Sequence, residues 1–121
     1  MVVLPAHRQH WQKRRQAEAL AIAERRRLGE RQAQDAAATL RARWPEIQAM
    51  WVFGSLLEPG FGLGSDLDLC VQGLPNEALL AAMECLEGAG PEAQLPVDLV
   101  RLESLPLHWQ QRLLNQGRRL L

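Results

Sequence analysis

The chain has 121 residues, 47% of them hydrophobic, with four Trp, two Phe and no Tyr. That supply of apolar side chains fits one modest core in one domain and is too large for a disordered chain. Its zero net charge hides a split: ten Lys/Arg face four acidic residues from Met1 to Arg43, whereas four Arg face ten acidic residues from Trp44 onward, a basic arm joined to an acidic body.

The opening stretch "MVVLPAHRQHWQKRR" puts its short apolar run before its basic residues, the reverse of a secretory signal. No apolar run reaches the roughly 20 residues of a membrane span. A soluble cytoplasmic protein with no membrane partner is the expectation. His7 and His10 share a helical spacing without further ligands beside them. Residues 16–43 are rich in Ala, Arg, Glu and Gln and predict a long helix. Ala17, Leu20, Ala21 and Leu28 form one apolar stripe, and Ala33, Ala36, Ala37 and Leu40 a second. Gly29 lies between them as a candidate kink or break, and Pro45 should end the helix near Trp44. So thinly apolar a helix is expected to pack through its C-terminal half and to project or self-associate through the rest, which favours a homo-oligomer. Its arginines could hold an RNA backbone, but no aromatic residues interleave to stack bases; a protein partner or dimer contact is preferred.

"IQAMWVF", 47–53, and "SDLDLCVQG", 65–73, read as strands. A helix is expected over 76–87 with Asn76 as N-cap and Gly88 near its end. "AQLPVDLVRL", 93–102, is a third strand, placed at an edge or given an irregular start by Pro96. "SLPLHWQQRLLNQGRRLL" supplies a last helix with Pro106 in its first turn and Leu105, Trp109, Leu113 and Leu114 as its apolar residues. The order helix, strand, strand, helix, strand, helix predicts an α+β fold, a small mixed sheet covered by helices, with a long N-terminal helix. Cys70 and Cys85 match no zinc or CxxC spacing. Cys70, inside an apolar run, is expected to be buried and reduced.

The chemistry concentrates in "GSLLEPGFGLGSDLDL", 54–69. Alternation along a strand would send Asp66 and Asp68 to one face, with Leu67 and Leu69 toward the core. Two adjacent carboxylates repel unless a cation neutralises them. Mg²⁺ suits such a pair, since it binds through one or two carboxylates together with substrate phosphates. Asp98, flanked by Val97 and Leu99 in the third strand, would complete a three-carboxylate cluster if the two strands are neighbours. Such a cluster suits two metals about 3.5–4 Å apart clamping an in-line displacement at phosphorus. Gly54 lets backbone approach a phosphate and Ser55 can donate to it. A DxD pair alone is an ordinary polar strand entry. Gly-Ser with aspartates eleven and thirteen residues after the serine is expected by chance on the order of once in a thousand chains this long.

"FGS…SDLDLCV…VDLV" resembles the signature of the polymerase-β-like nucleotidyltransferase superfamily in its minimal (MNT) form, encoded beside HEPN-domain proteins as toxin–antitoxin pairs. The resemblance covers roughly residues 35–121, leaving 1–34 as a basic N-terminal helical arm. It implies a nucleotidyltransferase-like fold and transfer of a nucleoside monophosphate from an NTP, usually ATP, to a protein or nucleic-acid acceptor. It further implies Gly54, Ser55 and Ser65 as nucleotide-binding residues, and Asp66, Asp68 and Asp98 as metal-binding and catalytic carboxylates, Asp98 activating the acceptor hydroxyl. A HEPN-domain partner with a tyrosine acceptor is the implied context. One departure stands out. The family commonly reads "GSxARG", and here "GSLLEPG" puts Glu58 in the arginine's place, so that Arg101 or an arginine of the arm would have to supply the charge. A catalytically weak protein of the same fold that masks a partner is the alternative expectation.

Overall fold

The computed structural model describes residues 5–87 and 95–121. Helix α1, Pro5–Arg43, is a single rod of 39 residues, with Arg41 and Arg43 in its last turn where cations complement the helix dipole. It stops where Pro45 was expected to stop it, and the Ile47 N–H turns back to the Trp44 carbonyl at 3.1 Å. Its two halves behave differently. From His7 to Ala21 every side chain is exposed. From Ile22 onward Ala33, Ala36, Ala37 and Leu40 enter the core, with Ile22 and Leu28 packed against it.

Gly29 does not break the helix. It is buried, and a Cβ there would stand 2.9 Å from Leu56 Cδ1 and 3.3 Å from Leu95 Cδ2. Gly29 thus lets α1 lie close against Leu56 and Leu95. One turn later the buried Gln32 amide pairs with the Leu95 backbone, donating to its carbonyl and accepting from its N–H, both at 2.9 Å. This bidentate contact ties α1 to the backbone at Leu95 and gives the buried Gln32 amide both a donor and an acceptor.

Strands β1 (Ala49–Phe53), β2 (Leu67–Gln72), β3 (Val97–Arg101) and β4 (Arg118–Arg119) form one mixed sheet in the order β3-β2-β1-β4. β1 is antiparallel to β2 and β4, and β2 is parallel to β3. β3 is an edge strand with Pro96 just ahead of it, as a proline requires. One face, with Met50, Val52, Leu67, Leu69, Val71 and Leu99, packs on α1 and on α2 (Leu79–Glu87) in the main core. The opposite face, with Ala49, Trp51 and Cys70, is covered by Leu102 and by Leu113 of α3 (Leu107–Gln116). The class is α+β, as expected.

Three expectations need correction. Asn76 caps nothing: it opens a 3-10 turn, Asn76–Ala78, after Pro75, without a side-chain capping bond. Arg118 and Arg119 do not continue the last helix. The Gly117 N–H closes α3 on the Leu113 carbonyl at 2.7 Å, and the chain then pairs with β1. Only glycine fits there, since a Cβ would meet the Leu113 carbonyl at 2.7 Å and the Val52 carbonyl at 3.3 Å. Arg101, proposed as a substitute cation, is engaged elsewhere: its Nε donates to the Leu74 carbonyl at 2.8 Å and a terminal nitrogen donates to the Ser104 hydroxyl. Gly88 and residues 93–94 lie outside the described residues.

Candidate active site

The parallel register of β2 and β3 puts Asp68 directly opposite Asp98, and the antiparallel register of β1 and β2 puts Phe53 opposite Asp68. The row Phe53–Asp68–Asp98 therefore runs across the end of the sheet on the α3 face. Leu67, Leu69 and Leu99 are buried on the other face, so the period-two alternation holds for both aspartates. Asp66 is placed differently from the expectation. β2 begins at Leu67, and Asp66 stands exposed one residue ahead of it.

Gly54 follows β1 and has φ +73, a left-handed conformation that suits glycine. A Cβ there would run into the Asp68 carboxylate. Glycine thus allows both the turn and the seating of Asp68 against the backbone. Ser55, in the 3-10 turn Gly54–Leu57, extends its hydroxyl toward the Asp66 carbonyl at 3.4 Å. Ser65 closes the loop: its hydroxyl accepts from the Gly62 N–H at 3.0 Å, and its carbonyl accepts from Arg25 at 2.9 Å. Arg26 grips the same loop from outside, donating to the Leu56 and Glu58 carbonyls while its guanidinium lies 4.9 Å from the Phe61 ring centroid. Arg25 and Arg26 of α1 therefore hold the loop by its carbonyls.

Burial first, then the charges of Asp98, Asp66 and Glu58, push the Asp68 carboxyl above its ordinary value. Four carboxylates thus share one electrostatic field, an arrangement that costs free energy until a cation relieves it. Among the described residues no three acidic, His or Cys side chains close into a metal cage. An open arrangement of hard oxygen donors is what Mg²⁺ takes, since it keeps waters and completes its shell with phosphate oxygens. Asp68 and Asp98, opposite each other across β2 and β3, are two such donors, but Asp66 does not close with them into the expected cluster of three.

A cavity of about 590 Å³ opens beside these residues, between the sheet and α3. Glu58, Asp98, Arg112 and Gln116 line it together with Gly54 and Gly117, and the apolar residues Phe53, Leu57, Val100, Leu105, Trp109 and Leu113 make up the rest. Arg112 and Gln116 were not singled out in the sequence. A signal was present, because positions 105, 109, 112, 113 and 116 follow one helical face. The two polar residues on that otherwise apolar stripe were the ones to ask about.

Residues 35–121 match the family described as Polymerase beta, Nucleotidyltransferase. No curated protein matches the chain. Among solved structures the chain is similar, at 28% identity and a TM-score of 0.60, to a chain of a toxin–antitoxin crystallised with AMP-PNP, over 73% of this chain and 72% of that one. It is similar at 26% identity and a TM-score of 0.57 to a chain of the toxin–antitoxin MntA-HepT, covering 76% and 71%. The same identity and score relate it to a chain of the complex of a tri-AMPylated Shewanella oneidensis HEPN toxin with its MNT antitoxin, covering 77% and 71%. With a family match over most of its length and a Gly-Ser loop set against paired aspartates, the chain belongs to the polymerase-β nucleotidyltransferase family, as a minimal (MNT) domain related to the antitoxins of HEPN toxin pairs.

Proposed function

We propose that this protein is a Mg²⁺-dependent nucleotidyltransferase that moves a nucleoside monophosphate from ATP to a hydroxyl of a partner protein, and that it serves as the antitoxin of a HEPN-type toxin. The observation that carries the reading is the pairing of Asp68 with Asp98 across β2 and β3, with Asp68 seated against Gly54 and Asp98 lining a cavity. ATP is the donor in this reading because one similar chain comes from a toxin–antitoxin crystallised with AMP-PNP. A hydroxyl on a HEPN toxin is the acceptor because another comes from a complex with a tri-AMPylated one.

Each residue then has a task. Gly54 and Ser55 receive phosphate oxygens, and Ser65 keeps the loop closed with its hydroxyl proton left to donate. Asp66, Asp68 and Asp98 would hold the metal, which supplies charge neutralisation on the phosphates when bound. Asp98, at the cavity, takes the proton from the acceptor hydroxyl. The acceptor oxygen forms its bond to the α-phosphorus as the bond from that phosphorus to the β-phosphate oxygen breaks, and pyrophosphate leaves.

Calorimetric titration with ATP, with and without Mg²⁺, tests this on the wild type and on Asp66→Asn/Asp68→Asn. Metal-dependent binding that the double substitution abolishes is the expected result. An intact fold that binds no nucleotide would end the enzymatic reading and favour the second one, a protein of this fold that only masks its partner. Glu58 is the observation that favours that reading, because a carboxylate lining the cavity repels a triphosphate.

A further inference from the structure

Glu58 leaves the cavity with carboxylates and no cation from the 54–59 loop. Phosphate recognition in such a cavity needs a positive charge that reaches into it, and Arg25, Arg26, Arg101, Arg118 and Arg119 are not among its lining residues. The arginines near the site can be taken in turn. Arg25 and Arg26 are bonded to the carbonyls of Ser65, Leu56 and Glu58. Arg101 is held by the Leu74 carbonyl and Ser104. Arg118 pairs with Glu30 at 3.8 Å, and Arg119 lies over Trp51 and bonds to the Leu121 carbonyl. Arg112 is different. It lines the cavity together with Gly54, Glu58 and Asp98. Among the described residues no carboxylate forms an ion pair with it.

Its guanidinium is nonetheless not loose. It lies 5.2 Å from the Trp109 ring centroid, and Nε donates to Gln116 Oε1 at 3.4 Å. Both neighbours also line the cavity. A planar guanidinium supported on an aromatic face keeps its remaining N–H donors free for bidentate contact with a phosphate. Trp109 and Gln116 therefore orient the group without neutralising it.

We propose that Arg112, carried on α3, is the phosphate-binding cation of this site and takes the role that the 54–59 loop has lost through Glu58. The inference rests on the nucleotidyltransferase reading above and adds to it the residue that recognises the polyphosphate.

The test measures the affinity of the full chain for ATP, AMP and inorganic tripolyphosphate, each with Mg²⁺, in wild type, Arg112→Gln and Arg112→Lys. Folding of each variant is checked by its thermal midpoint. Arg112→Gln is expected to weaken ATP and tripolyphosphate about tenfold or more while changing AMP about threefold or less, because lost charge-assisted bonds scale with the phosphates they held. Arg112→Lys should recover part of the loss, as charge without the bidentate fork. Equal weakening of all three ligands, or of none, with the wild type still binding ATP, overturns the role of Arg112 and leaves the nucleotidyltransferase reading in place. Absence of metal-dependent ATP binding by the wild type overturns both.

Discussion

Cys70 shows how neighbours set the chemistry of a single side chain. It lies on the site face of β2, under Leu113 and beside Trp51, and is free and fully buried. Burial, followed by the charge of Glu103, raises its thiol from 9.0 to about 12. The sign follows from linkage: the folded state holds its proton more tightly than the unfolded chain. Any stability tied to this thiol is therefore complete below 9.0 and is lost as pH rises toward 12. In a Cys85→Ser background, alkylation of the native protein at pH 8 should run about a hundredfold slower than that of the denatured chain, because thiolate is scarce and α3 covers the sulfur. Mass spectrometry of the alkylated protein measures it, and fast native labelling would mean that α3 does not stay closed over this face. The buried, reduced state of Cys70 was legible from its apolar run alone. Its pairing with Trp51 was not, because strand register depends on partners distant in sequence.

Local rules served the longer elements well and failed at their ends. Pro45 stops α1, and alternation in "SDLDLCV" and "VDLV" turns Asp68 and Asp98 to one face; both effects act within a few residues. The two-residue β4 owes its existence to the edge that β1 leaves open, and no propensity marks Arg118–Arg119 as a strand. Arg112 was hidden for a similar reason. Its place on an apolar stripe was legible, but its position at the cavity depends on α3 folding over the sheet. Gly29 was misjudged because a glycine in a helix reads as a weakness when only the helix is considered. Its place opposite Leu56 makes a direct test. Gly29→Leu should cost about 1–3 kcal/mol in denaturant unfolding, since the clash at the contact with Leu56 and Leu95 outweighs the gain of about 1 kcal/mol in helix propensity. A net gain in stability would show that α1 can shift away from the 54–57 turn without loss.

Taken as a whole, the molecule is unevenly held together. Both hydrophobic clusters draw on residues from Ile22 onward, and no side chain from His7 to Ala21 is buried. Removal of residues 1–20 should therefore move the thermal midpoint by about 3 °C or less. Removal of residues 1–28 should cost far more, because it takes Arg25, Arg26 and the packing of Ile22 and Leu28. Scanning calorimetry of the two truncations distinguishes them, and a large loss from the shorter one would mean that the exposed half of α1 contributes to the fold.

The unbroken course of α1 through Gly29 has a mechanical consequence. Trp11 and Arg25 belong to one stiff rod and lie about 21 Å apart along its axis. Arg25 and Arg26 in turn grip the carbonyls of the loop that carries Ser55 and Glu58. A body that grasps the free end of this helix holds a lever whose short arm is the wall of the site. A tilt imposed at Trp11 is delivered, with little slack, to the backbone against which the phosphates would rest.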